Sequence, residues 1–312
     1  MIGLRHLLNL SDLGPGGLRL VLDAAQARKK ARRGLPQGMA DADAPLDGAI
    51  LASLFEKPST RTRLSFDVAM RQLGGSAITL AAHDMQLGRG ETIEDTARVL
   101  SGFVDAIMIR ANRHADVELL AQSAGVPVLN GLTDLSHPCQ IVADLLTIEE
   151  DFGRPVDGSC WAWVGDGNNV CNSLIEAAGL LGLELRVAHP AGYAPNPHFV
   201  DQARAAGAHI ELLSDPAQAV RNADVVVTDT WVSMGDTDAD ARHRAFAGYQ
   251  VSYELMRQAA LHARFLHCLP AHRGEEVAAD VIDGPRSLVW AEAANRVHAQ
   301  KALLLWAFDR IS

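Results

Sequence analysis

The feature that most constrains the fold of this chain is the alternation of short apolar runs with longer stretches of helical period. Short apolar runs bounded by loops are typical of parallel strands that crossover helices bury on both faces. The predicted strands are 49–55, 77–80, 104–109, 126–129, 160–164, 184–188, 210–213, 224–227 and 265–269. The pattern therefore predicts an α/β protein with two doubly wound parallel sheets.

The length of 312 residues allows two domains, each with its own core. A predicted helix over 138–150 ends at Gly153 and Pro155, and a new strand follows, so we place the domain boundary there. The prediction is a first domain over 1–150 and a second domain over 151–290. A last helix, within 291–312, is expected to pack back on the first domain.

The charge of the chain restricts its partners. A formal net charge of −10 argues against nucleic acid or an anionic membrane surface as a partner.

No run of eighteen apolar residues is present, and the first ten residues lack the features of a signal peptide, so we expect a cytoplasmic protein. The four cysteines form no C-x-x-C pair, and His267, Cys268 and His272 lack matching ligands elsewhere, so neither a disulfide nor a metal site is predicted.

A hydroxyl-rich turn follows the first predicted strand and leads into a helix. Its side chains, Ser59, Thr60, Arg61 and Thr62, could bind a phosphate together with the unpaired N–H groups and the positive dipole end of that helix. The alternative is that Ser59 and Thr60 only cap the helix and that the arginine is solvated.

The next three predicted strands also end near hydrogen-bond donors: Gln86, Arg110, and the pair His137 and Gln140. Because ligands bind beyond the carboxyl ends of parallel strands, donors on four consecutive strands favour an anion site at one sheet edge. His137 alone could equally be a buried, hydrogen-bonded histidine, and Gln86 could lie in a simple connection.

The second half opens with 163–169, which is similar to half of a dinucleotide-binding motif. Val170 stands where the third glycine would be, and His189 and Pro190 replace the acidic residue that binds a ribose, so a nicotinamide cofactor is disfavoured.

Further polar groups follow the later predicted strands. Asp229 and Ser233 could bind an ammonium and a carboxylate or could be ordinary turn residues, and Cys268 could be a small buried apolar residue.

In the order of these motifs, from Phe55 to Arg296, the chain resembles the aspartate and ornithine carbamoyltransferase family. The Ser-x-Arg-Thr-Arg turn and the His-Pro-x-Gln turn are shared by the family. The segments 229–235 and 267–270 resemble its ornithine branch in particular. One departure is Ala294, where the family often has Glu.

The resemblance implies two α/β domains with the active site in the cleft between them, the first binding carbamoyl phosphate and the second ornithine. It implies carbamoyl transfer to the side-chain amine of L-ornithine, giving L-citrulline and phosphate, in arginine biosynthesis or a urea-cycle-type step. No cofactor is implied, and the expected assembly is a homotrimer or a multiple of trimers, with Gln86 in a loop at a subunit boundary.

The resemblance also implies the site residues. Those for carbamoyl phosphate are Ser59, Thr60, Arg61, Thr62, Gln86, Arg110, His137, Gln140, Cys268, Leu269 and Arg296. Those for ornithine are Asn169, Asp229, Ser233 and Met234. The catalytic residues would be Arg61, Arg110, His137, Asp229 and Cys268.

Carbamoyl transfer needs a polarised carbonyl, a neutral amine and a stabilised leaving phosphate. The hypothesis is that Thr62, Arg110 and His137 polarise the carbonyl. Asp229 with Cys268 would orient the deprotonated amine, and Arg61 would stabilise the departing phosphate. Three alternatives stay open: a nicotinamide-dependent dehydrogenase, a non-catalytic anion-binding protein, and a carbamoyltransferase for putrescine, lysine or an acylated ornithine.

Overall fold

The computed structural model describes residues 4–81, 90–232 and 238–311. The chain divides into two compact units. Unit 1 comprises Met1–Leu146 and Ala294–Ser312, and unit 2 comprises Thr147–Ala293. In the part of the chain that the structure describes, no helix combines the length and the apolar character needed to cross a bilayer.

Unit 1 contains a parallel sheet of four strands in the order β2-β1-β3-β4. The strands are β1 (Ile50–Phe55), β2 (Ser76–Ala81), β3 (Ala106–Arg110) and β4 (Val128–Leu132). Phe55 pairs with both Ala81 and Arg110, and Arg110 pairs with Leu132, so all four strands end at one edge. The loops that carry the predicted donors therefore leave the sheet at the same edge.

Two strands of unit 1, β3 and β4, differ in their bounds from the prediction. β3 and β4 begin two residues later than predicted, and they extend further toward the carboxyl end. The register shifts between Ile109 and Arg110, which brings Arg110 opposite Leu132 and prolongs the pairing. Because an irregularity of this kind depends on the partner strand, apolar periodicity alone does not reveal it.

The helices of unit 1 cover the sheet and bury the apolar residues of its strands. They are α1 (Gly14–Ala31), α2 (Thr60–Gln72), α3 (Ile93–Ser101) and α4 (His114–Ser123), preceded by a 3-10 turn over Leu10–Leu13. Two more helices, α5 (Pro138–Phe152) and α12 (Val289–Ala307), have residues in both units. The core between β1, β3 and α4 includes Leu54, Ile107, Ile109, Val117 and Leu120.

The final helix returns to unit 1, as predicted, and carries a buried lysine there. Lys301 of α12 is fully buried, and its Nζ lies 2.7 Å from Oδ2 of Asp41 and 3.1 Å from Oε1 of Gln72. Arg28 and Arg32 also donate to the Asp41 carboxylate. The loop 34–48, which is rich in Pro, Gly and Asp, thus supplies the counter-ion for a buried cation.

Unit 2 contains a parallel sheet of five strands in the order β7-β6-β5-β8-β9. The strands are β5 (Cys160–Val164), β6 (Glu184–Ala188), β7 (His209–Leu213), β8 (Val225–Thr228) and β9 (Arg264–His267). The helices are α6 (Asn169–Leu181), α7 (Pro197–Ala205), α8 (Pro216–Val220), α9 (Ala239–Phe246), α10 (Tyr253–Met256) and α11 (Ala279–Ile282). One face of the sheet packs on a core with buried Trp231, Phe246 and Phe265.

Candidate active site

The turn between β1 and α2 is built around Ser59. This residue is the N-cap of α2, and its Oγ accepts a hydrogen bond from the backbone N–H of Thr62 at 3.3 Å. The capping alternative is therefore correct for Ser59, but the same Oγ also accepts from Nη1 of Arg110 at 3.3 Å. Since a hydroxyl has two lone pairs, Ser59 keeps its own proton available as a donor.

Arg296, on α12, joins that helix to α5 and α2 through hydrogen bonds. Arg296 donates from Nη1 to Oε1 of Gln140 at 2.6 Å and from Nη2 to Oγ1 of Thr62 at 3.4 Å. Arg296, Gln140 and Thr62 are all buried. The amide nitrogen of Gln140 in turn donates to Oδ1 of Asp144 at 2.8 Å. Three helices that are distant in sequence thus contribute to one polar cluster at the N-terminus of α2.

His137 precedes the first residue of α5 and is buried. Burial lowers the pKa of His137 well below its usual value, and the charges of Arg296, Arg110 and Arg61 lower it further. The imidazole is therefore neutral at physiological pH. A neutral imidazole can donate one hydrogen bond without adding a charge, which suits it to polarise a carbonyl oxygen. Both interpretations of His137 from the sequence, a buried histidine and a donor, fit its position.

The electrostatic field around His137 favours an anion. Three guanidinium groups act on this one imidazole, and the N-terminus of a helix of thirteen residues adds its dipole. Arg61 and Arg110 are half-buried, whereas Thr60 is exposed. Such a concentration of positive charge and hydrogen-bond donors can hold a dianion such as a phosphoryl group.

The polar cluster of unit 2 is centred on Asp229, directly after β8. Its carboxylate accepts from Nδ2 of Asn168 at 2.7 Å and from Sγ of Cys268 at 3.0 Å. The backbone N–H of Thr230 adds a third donor at 2.8 Å. Asp229 is buried, with 8% of its surface exposed, and it lies where the ends of β5, β8 and β9 meet. A buried carboxylate held in this way can orient an amine.

The asparagine that donates to Asp229 is Asn168, and Asn169, the predicted ornithine contact, is the next residue along the chain. Asn168 is the N-cap of α6, whereas Oδ1 of Asn169 accepts from the backbone N–H of Val170 at 3.0 Å. Two adjacent asparagines cannot be distinguished by residue type. Only the starting point of the helix decides which one faces Asp229.

The segment after β9 is fixed by His267. Its Nδ1 accepts from the backbone N–H of Leu269, so Nε2 carries the proton and faces Oε1 of Glu276 at 3.2 Å. The backbone N–H of His267 donates to Glu292. Leu269 has φ of 58°, a left-handed conformation that the surrounding hydrogen bonds impose. These contacts hold Cys268 against Asp229.

Among the described residues, two groups of side chains could offer ligand atoms to a metal ion. They are Asp229, His267 and Cys268, and His272, Glu275 and Glu276, each with its ligand atoms within 4.8 Å of one another. In the first group both ring nitrogens of His267 are already engaged. A metal ion there would have to break the contacts that shape the segment after β9.

Three predicted site residues, Gln86, Ser233 and Met234, lie outside the described residues. Of the others, Ser59, Thr62, Arg110, Gln140 and Arg296 are joined by hydrogen bonds in unit 1. Asp229 and Cys268 are joined in unit 2.

The fold and these two clusters define an α/β protein of two units, one with a cationic polar cluster and the other with a buried carboxylate. Family models agree with this division. The carbamoyl-P binding domain of the aspartate/ornithine carbamoyltransferases matches residues 5–150, and their Asp/Orn binding domain matches residues 157–307. The chain belongs to the aspartate/ornithine carbamoyltransferase family.

The chain is also similar over nearly its full length to individual ornithine carbamoyltransferases. The chain is 62% identical over 307 residues to an ornithine carbamoyltransferase of Caulobacter vibrioides, covering 98% of each chain. It is 60% identical to that of Rhizorhabdus wittichii, covering 98% of this chain and 99% of the other. The solved ornithine carbamoyltransferase of Pyrococcus furiosus has a TM-score of 0.90 at 49% identity and 96% coverage of both chains.

Proposed function

We propose that this chain transfers the carbamoyl group of carbamoyl phosphate to the side-chain amine of L-ornithine, giving L-citrulline and phosphate. The observation that carries the proposal is the cluster at the N-terminus of α2, where Arg110 and Arg296 are hydrogen-bonded to Ser59, Thr62 and Gln140. Carbamoyl phosphate needs such a cluster because it combines a dianion with a polar amide.

The phosphate of the substrate would lie against the turn before α2. We assign it to Ser59, Thr60, Arg61 and Thr62, with Arg110 beside them. The proton of Ser59 is available as a donor because its oxygen already accepts two hydrogen bonds. Arg61 would neutralise the charge that grows as the phosphate leaves.

The carbamoyl group would lie among Thr62, His137, Gln140 and Arg296. As the amine attacks the carbonyl carbon, negative charge develops on the carbonyl oxygen, and donors already in position stabilise it. Neutral His137 can donate there, with Thr62 and Arg110. The new C–N bond replaces the C–O bond to phosphate, the leaving phosphate takes the proton that the attacking nitrogen loses, and no covalent intermediate with the enzyme is needed.

Ornithine would be bound by residues of unit 2. We assign Asp229 and Cys268 to the reacting amine, which attacks only after it has lost a proton. Asn169, Ser233 and Met234 would bind the rest of the amino acid, and the structure adds Asn168 as the residue that holds the Asp229 carboxylate. Cys268 and Leu269 would lie near the carbamoyl group.

The test offers carbamoyl phosphate with ornithine, putrescine, lysine, N-acetylornithine or aspartate in parallel and compares kcat/KM. Ornithine should be preferred by at least about 100-fold, since a site with buried polar groups discriminates strongly against substrates that leave those groups unpaired. Asp229→Asn should lower kcat/KM for ornithine and leave the Kd for carbamoyl phosphate unchanged. A preference for another amine, or binding without carbamoyl transfer, would refute the proposal.

The assembly is a prediction from the family resemblance, and the location is a prediction from the sequence pattern. A homotrimer or a multiple of trimers is expected, and light scattering of the purified protein would measure it. The cytoplasm is the expected compartment.

A further inference from the structure

We propose that Asp144 is a positioning residue that fixes the amide of Gln140 so that its oxygen faces the carbamoyl group. The inference rests on the proposed function and extends it to the discrimination of carbamoyl phosphate from other acyl phosphates. Asp144 lies on α5, one helical turn after Gln140, and 1% of its surface is exposed.

The orientation of the Gln140 side chain is determined from both ends. Its Nε2 donates to Oδ1 of Asp144 at 2.8 Å, and its Oε1 accepts from Nη1 of Arg296 at 2.6 Å. A carboxylate only accepts and a guanidinium only donates. If the amide were flipped, its nitrogen would face Arg296 and its oxygen would face Asp144, so both hydrogen bonds would be lost. One amide orientation is therefore strongly preferred.

This orientation gives the site a chemical selectivity. A carbonyl oxygen can accept more than one hydrogen bond, so the oxygen of Gln140 can accept an N–H of the carbamoyl group as well as the one from Arg296. Acetyl phosphate has the same phosphate and a carbonyl, but a methyl group replaces the amino group. An oxygen fixed toward this position favours the amino group, whereas a rotating amide would present its own NH₂ for part of the time.

The charge of Asp144 also stabilises the arrangement. A hydrogen bond to an ionised acceptor is stronger than one between neutral groups, and this one is shielded from water because Gln140 and Asp144 are both buried. Asp144 therefore acts through Gln140 and touches no reacting atom.

The experiment measures the Kd of carbamoyl phosphate and of acetyl phosphate by calorimetry, without any amine, for the wild type and for variants of position 144. Asp144→Leu removes the acceptor while keeping the branched shape of the side chain, and it should reduce the preference for carbamoyl phosphate by about 10- to 100-fold, the range expected for a buried charged hydrogen bond. Asp144→Asn keeps an acceptor oxygen and should stay within about fivefold of the wild type. Glu150→Gln, an exposed carboxylate on the same helix, is the control and should match the wild type.

A double-mutant cycle separates positioning from a general structural role. If Asp144 acts through Gln140, Asp144→Leu should not change the preference further once Gln140→Met has removed the amide. A loss of affinity in Asp144→Leu that is equal for both ligands would overturn the inference, and so would an unchanged preference. Asp144→Ala carries the same prediction should Asp144→Leu not fold.

The proposed function and this inference fail in different ways. A wild type that prefers carbamoyl phosphate to acetyl phosphate but forms no citrulline would contradict the function alone. A wild type that forms citrulline while its Asp144→Leu variant keeps the full preference would contradict the inference alone.

Discussion

The buried ion cluster around Asp41 leads to a quantitative prediction of stability. Lys301 is fully buried and Asp41 is 9% exposed at the side chain, with 2.7 Å between Nζ and Oδ2. Arg28 and Arg32 contact the same carboxylate. Asp41→Ala would leave three cations facing one another, one of them without access to water. Removing one partner of a buried ion pair destabilises a protein by about 3–5 kcal/mol.

The assay is thermal unfolding followed by circular dichroism. For a domain of about 150–250 residues, each kcal/mol shifts the melting temperature by about 2–4 °C, so Asp41→Ala should lower it by about 6–20 °C. Lys301→Met removes the charge at similar volume and should be milder, because Asp41 keeps its two arginines. Asp43→Ala is the matched control, since Asp43 pairs with Arg28 but is 59% exposed at the side chain, and it should change stability by at most about 1 kcal/mol. Equal shifts for Asp41→Ala and Asp43→Ala would refute the reasoning.

The pH dependence of the Asp41 contribution follows from its pKa. Burial alone would raise the pKa of Asp41, but hydrogen bonds from Lys301 and Arg32 outweigh it and hold the pKa below 3.8. A group whose pKa is lower in the folded state stabilises that state above its unfolded value. The contribution is therefore present above about pH 4 and is lost as the pH falls through the lower folded value.

Three further predictions concern other groups. Arg61→Lys keeps the charge but loses the planar fork, so kcat should fall by about 10- to 100-fold in a citrulline assay, and a rate near that of the wild type would count against the assigned role. Burial and the nearby Lys29, Lys301 and Arg32 lower the pKa of His298 to about 4, so the unfolded chain takes up a proton near pH 6.5 and the folded chain does not. Stability should thus decline from pH 6.5 to 4, and His298→Gln should flatten that decline in melting curves; an unchanged slope would refute it. Burial raises the pKa of Cys139 and Cys160 to about 11, and it also raises the pKa of Cys171 well above its usual value. Iodoacetamide at pH 8 should therefore label Cys268 first in a mass-spectrometric time course, and earlier labelling of another cysteine would be the contrary result.

The fold could be predicted from the sequence because its main signal is local. Each strand is a short apolar run, and both sheets contain the strands that the pattern assigned to them. The ends of β3 and β4 could not be placed, since they depend on the register shift opposite Arg110. Apolar periodicity shows which residues are buried, but it does not show where a ladder of hydrogen bonds stops.

The polar clusters could be predicted only in part. Ser59, Arg110 and Gln140 were found because they follow strand ends, which meet at one sheet edge. Asp41 was missed because its partner Lys301 is far away in the sequence, and Asp144 was missed because it lies in the middle of a helical pattern. An aspartate within a helical pattern, or within a loop rich in Gly and Pro, carries no local sign that its partner is a buried donor.

Because unit 1 consists of two separate stretches of chain, the two units cannot complete their folding in the order in which they are translated. Unit 2 is uninterrupted and can fold as soon as it emerges. Unit 1 begins first but needs 294–312, so Arg296 can reach Gln140 only after unit 2 has been translated. A nascent chain therefore carries an incomplete cluster at the N-terminus of α2 until the ribosome has passed residue 296, and messages cut short before that codon should yield polypeptides without activity.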